Sequence, residues 1–192
     1  LMLWANCVAF STRCTCTSAF TPPWGISPRS SSRNSGDVST NSLLPVADTY
    51  VENGTYAATN FGTSQSLVVK NSGGSTLTRE TFLRFDLSQQ TNGLLLDASL
   101  RLVYTTSNGS DQHVVYPVTD HAWTEPGLVW TNKPAYGAEA ARWSISSNVP
   151  TAIQAPVGAD ARAAAGGVLD LRGAAVSGAY VAYASRENGT AT

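Results

Sequence analysis

The sequence predicts an all-β protein, an antiparallel sandwich or barrel, and three observations carry that expectation. Charged residues make up 13% of the 192 positions, about half the share of an ordinary globular chain, and 22 Ser and 21 Thr fill the gap. At 42% hydrophobic the chain can build a core, yet helix formers dominate no long stretch outside the C-terminal third. From Leu44 onward, short apolar runs recur at roughly ten-residue intervals with turn signals between them.

The elements follow in order. Ser66–Asn71 is a β-branched run that ends in an Asn-Ser-Gly-Gly turn. In the next segment Leu83, Phe85 and Leu87 alternate with Phe82, Arg84 and Asp86, one set inward and the other outward. The following strand sets Ala98, Leu100, Leu102 and Tyr104 against Ser99, Arg101, Val103 and Thr105. Asn108-Gly109 suits a positive-φ turn, and a strand follows over His113–Val118, where Pro117 suggests an edge or a bulge. GLVWTN, VLDL and AYVAYAS complete the set. Between them Asp160–Ala165 suits one or two helical turns closed by Gly166-Gly167.

Residues 1–43 differ in kind. An apolar start without a preceding positive charge reads as a degenerate secretion signal or a gene-start artefact, and a Pro/Ser/Arg/Gly-rich stretch follows. That composition buries too little apolar surface to offset chain entropy, so the expectation is a disordered leader over 1–43 and one sandwich over 44–192. Cys7, Cys14 and Cys16 all fall in the leader, so no disulfide staples the main body. A net charge of −1 gives no polybasic surface for nucleic acid. No run approaches the roughly 18 apolar residues of a membrane span.

At this point the residues resemble a known family. ADTYVENGTYAATNFGTSQSLVVKNSG, RETFLRFDLS, LRLVYTT, VTDHAWTEPGLVWTNKPAYG and AYVAYASREN stand in order over about residues 46–188, and together they resemble carbohydrate-binding module family 96. The pairing of Trp-Thr-Glu with Trp-Thr-Asn-Lys-Pro is its most specific part. The resemblance implies a jelly-roll β-sandwich of secreted, extracellular polysaccharide-acting proteins, similar to alginate-binding modules and to disaggregatase-related repeats, often fused to a polysaccharide lyase. The family's usual last strand, of the type Pro-Gln-Leu-Val-Val, does not appear, so the sheet is expected to lack a terminal strand.

A module of this kind holds an acidic polysaccharide such as alginate through guanidinium forks, ammonium groups and flat rings. The candidates are Lys70, Arg79, Arg84, Arg101, Lys133 and Arg186, with Tyr136 as the exposed ring. The ordinary alternative for each cation is a structural ion pair. Residues 44–192 hold 9 basic and 12 acidic residues, so a polyanion needs a local patch rather than bulk attraction. Trp130 reads as core and Trp123 as a fold-defining corner. Asp48 and Glu52 are conceivable calcium ligands with Asp86 or Glu187. No calcium-loop pattern accompanies them, and the expectation is no cofactor and no metal.

Catalysis is the lesser reading. Gln112, His113 and Tyr116 superficially resemble a lyase motif, but adjacent Gln and His face opposite sides of a strand. A third class is an adhesion or spacer domain, for which the sequons at Asn53, Asn108 and Asn188 are compatible.

Overall fold

The computed structural model describes residues 7–14, 37–74, 76–90, 95–146 and 151–188. Among these residues there are eleven strands: β1 (Cys7–Cys14), β2 (Asp37–Leu43), β3 (Ala47–Glu52), β4 (Ser66–Val69), β5 (Arg79–Asp86), β6 (Leu95–Ser107), β7 (Asp111–Val118), β8 (Ala141–Ile145), β9 (Thr151–Pro156), β10 (Val168–Ala175) and β11 (Val181–Ala184). One helix, α1 (Gly158–Ala163), lies between β9 and β10. Two antiparallel sheets result. One has the order β2-β1-β6-β11-β4 with β9 also on β6, and the other has the order β3-β5-β10-β7-β8. Among the described residues no helix is long and apolar enough to cross a membrane.

The sheets enclose the apolar sets read from the sequence. Leu83, Phe85 and Leu87 from one sheet meet Ala98, Leu100, Leu102 and Tyr104 from the other, all buried. Period-two alternation therefore placed the core, because a pleated strand sends alternate side chains to opposite faces.

The second face of the five-stranded sheet departs from simple alternation. Phe82 has the outward phase but is fully buried. Residues 119–137 fold back over it, so Phe82, Val51, Val118, Trp123 and Leu128 form a second, smaller core with Trp130 packed at its side. GLVWTN is accordingly not a strand. It makes a 3-10 turn over Trp130–Asn132, held where the Asn132 side chain accepts from Val129 N–H and donates to Gly127 O. A local run of β-forming residues cannot reveal that its partner is a sheet face rather than a sheet edge.

Smaller expectations sort the same way. Gly166 takes φ +81 after α1, as a helix-closing glycine should. At Asn108-Gly109 the positive φ is absent. Ser107 closes that turn instead, its hydroxyl donating to Gly109 O, while Asn108 Oδ1 accepts from Tyr180 N–H. β7 lies inside its sheet, yet Pro117 falls beyond Val115, the last residue paired with β8. The missing N–H therefore costs no ladder bond there.

Two segments of the expected disordered leader pair into the six-stranded sheet. β1 runs antiparallel to β6 along Leu95–Arg101, and β2 pairs with β1. β6 is 13 residues long and β11 meets it only over Tyr104–Ser107, so its other half has backbone groups to satisfy. Leu43 packs partly buried against the main core. The Pro/Ser-rich stretch between the two strands, Cys16 and residues 189–192 lie outside the described residues.

Candidate functional site

Pairing of β5, β10 and β7 places Phe82, Arg172 and Tyr116 side by side on the outer face of the five-stranded sheet. Arg172 bonds to Glu80, with Nε at 2.7 Å from Oε2 and Nη2 at 2.7 Å from Oε1. Lys133, carried by the folded-back loop, donates to both Glu80 oxygens at 2.9 Å. Two cations thus share one carboxylate. Burial alone would raise the Glu80 carboxyl, but Arg172 and then Lys133 outweigh it and hold the group below the ordinary carboxylate range.

Aromatic rings flank that triad on both sides. The Lys133 ammonium lies 3.3 Å from the Trp130 ring centroid. The Arg172 guanidinium lies 3.9 Å from that of Tyr136 and 5.2 Å from that of Tyr116, and the two tyrosine rings are 4.8 Å apart. Tyr136 remains 48% exposed. The result is a contiguous strip, Trp130, Lys133, Arg172 and the tyrosine pair, with one formal positive charge in excess. Such a strip can stack an apolar sugar face and pair a carboxylate.

The other cations named from the sequence lie apart. Arg84 holds Asp170 through two 2.8 Å bonds and donates to Trp123 O and His121 O. Arg79 forks onto Glu52 at 2.9 and 3.0 Å. Arg186 binds Glu125, Glu187 and Val46 O. Lys70, at the end of β4, bridges Arg79 through its backbone. Arg101 belongs to the opposite sheet from Arg84, so the two do not converge on one ligand. Lys133 and Tyr136 are the two named residues that the fold brings to the Arg172–Glu80 pair.

Sequence reasoning missed Arg172 and Glu80, and it placed Tyr116 only in a lyase-like set. The signal for Arg172 was present, since Asp170 and Arg172 alternate with Leu169 and Leu171 in VLDLRG. Finding Glu80 and Tyr116 required knowing which strands adjoin.

Gln112 and His113 face opposite sides of β7, as expected. Gln112 is exposed, while His113 is 1% exposed and its Nδ1 lies 2.5 Å from the Tyr183 hydroxyl. Burial pulls the His113 pKa down to about 4.

A second polar cluster joins three distant segments. Asp48 on β3 takes a backbone bond from Arg186 N–H at its Oδ2, and its own N–H donates to Glu125. Burial pushes the Asp48 carboxyl up to about 7.

The family model described as carbohydrate-binding module family 96 matches residues 39–192, most of the chain. The chain belongs to carbohydrate-binding module family 96. No curated protein matches it. As a family 96 module it is a carbohydrate-binding domain, and the strings that carry the resemblance form strands of both sheets and the loop over the five-stranded one. The Trp-Thr-Glu corner buries Trp123 against Phe82 with ring centroids 6.1 Å apart, and Trp-Thr-Asn-Lys-Pro presents Lys133 to Glu80.

Proposed function

We propose that this family 96 module binds an acidic polysaccharide, alginate first among them, on the strip formed by Trp130, Lys133, Arg172, Tyr116 and Tyr136, and does no chemistry on it. The observation that supports this reading is the Glu80 triad: two cations on one carboxylate leave a positive charge beside a half-exposed ring. A uronate matches both features, a carboxylate for the charge and a ring face for the tyrosine. Arg79, Arg84 and Arg186 serve this reading as framework, since each is matched by a carboxylate that it does not share with a second Lys or Arg.

A lyase sets a His–Tyr pair beside a group that neutralises the uronate. The cleft of about 360 Å³ that holds His121 is lined by Asp160 and Asp170 and by no tyrosine, which favours binding over elimination. Secretion, and fusion to a catalytic domain in a longer protein, are part of the same proposal. Affinity electrophoresis against alginate, pectate and neutral glucans tests it. Retardation by alginate that weakens with added salt is expected, and equal retardation by neutral glucans overturns the acidic-ligand reading.

A further inference from the structure

Three of the strings singled out in the sequence meet at one point unrelated to the aromatic strip. Asp48 comes from the opening ADTYVE, Glu125 from Trp-Thr-Glu and Glu187 from Ser-Arg-Glu, and one carboxylate oxygen of each lies within 4.8 Å of the others. Among the described residues the cation bonded to the group is Arg186, which donates to Glu125 and Glu187. Three carboxylates and one guanidinium leave two formal negative charges.

Asp48 is 1% exposed. Its Oδ2 is satisfied by the Arg186 N–H, but its Oδ1 is buried with no partner, and so is Glu187 Oε2. Buried oxygens of this kind are costly to leave unmatched, and both belong to the same cluster. Donors are all oxygen, with no sulfur or imidazole, which selects a hard cation. Oxygens that ligate one calcium at about 2.4 Å stand at most about 4.8 Å apart, and these three meet that limit.

We propose that Asp48, Glu125 and Glu187 bind one calcium ion, which clasps β3 to the Trp-Thr-Glu corner and to the turn after β11. The ion neutralises the residual charge and supplies the missing partner of both orphaned oxygens. Water and backbone oxygens complete its six to eight ligands. The clasp is independent of sugar recognition, and it replaces the sequence expectation of no metal.

The test uses the full chain, stripped with chelator and titrated with calcium chloride by calorimetry, alongside thermal unfolding in calcium and in sodium chloride of matched ionic strength. One calcium per chain is expected to bind at or below about 1 mM, the range of extracellular modules, and to raise the unfolding midpoint where sodium does not. Asp48→Asn gives the buried site an amide donor for Glu187 and so retains the fold, and it should abolish the calcium-dependent rise. Glu187→Gln should weaken calcium binding about tenfold or more. Absence of calcium binding up to about 5 mM overturns the proposal. Calcium affinity unchanged in both variants also overturns it, because the ion then binds elsewhere.

Discussion

Arg84 and Asp170 form a two-bond ion pair across the β5–β10 register, at 2.8 Å each, with the Asp170 side chain wholly shielded from solvent. The strand phase of Arg84 points to the outer face of the sheet, and the loop over that face turns the outward position into an interior one. Arg84 therefore ties the Trp-Thr-Glu corner to the sheet through Trp123 O and His121 O.

Arg84→Ala should consequently damage the fold rather than the ligand site. Removing Arg84 strips the buried Asp170 carboxylate of two charged bonds and leaves it the His121 Nδ1 at 2.7 Å, and breaking a buried pair in this way costs about 3–5 kcal/mol. Chemical denaturation should show a loss of that order, while binding per folded molecule stays within about twofold of the parent. A stable Arg84→Ala protein that loses alginate binding would reverse the assignment.

Lys133→Ala should act in the opposite way. Glu80 keeps its two bonds to Arg172, so the fold survives, but the excess positive charge disappears. Alginate affinity should fall by about 1–3 kcal/mol, the size of a hydrogen bond to a charged group. Exposed ion pairs are screened over about 10 Å at 0.1 M salt, so the parent's affinity should drop with ionic strength and the variant's much less. Isothermal titration at two salt concentrations reads both effects.

Tyr136→Ala removes the exposed ring while leaving the Glu80 triad intact. A loss on the order of 1 kcal/mol, insensitive to salt, is expected from a stacking contact. Should Tyr136→Ala change nothing on any acidic glycan, the ligand does not sit on this strip.

His113 makes the fold acid-sensitive. Its pKa is depressed from 6.5 to about 4 by burial, against a small opposing pull from Asp111, and Tyr183 and Trp143 pack on its ring. Below about pH 6.5 the unfolded chain takes up a proton that the folded chain refuses until about pH 4. Stability therefore falls as pH drops through that window, by up to about 3 kcal/mol from this group. Denaturant melts of the parent minus those of His113→Gln should show that slope between pH 6.5 and 4 and none above it.

Removing residues 1–36 tests the role of β1. Every core residue described begins at Leu43 or later, so unfolding should remain cooperative. The Leu95–Arg101 edge of β6 loses its partner strand, and an open edge templates pairing with another chain. Sedimentation should then show self-association that the full chain lacks. Loss of the cooperative transition would instead make β1 part of the fold's minimum.

The amino-acid sequence by itself determined the all-β class, the inward sets Leu83, Phe85, Leu87 and Leu100, Leu102, and the glycine that closes α1. These depend on local alternation and backbone preference, which neighbouring residues fix. Tertiary structure alone decided the fate of the polar positions. Arg84, Arg79 and Lys133 are all cations that a strand or a loop could expose, and nothing local distinguishes one from another. Their partners, Asp170, Glu52 and Glu80, lie 86, 27 and 53 residues away, and an ion pair forms only where sheet order and a folded-back loop bring such distant charges within about 3 Å. The same holds for Phe82, whose outward phase became a second core once residues 119–137 covered it, and for Asp48, Glu125 and Glu187, which strand pairing and a single corner gather from both ends of the domain.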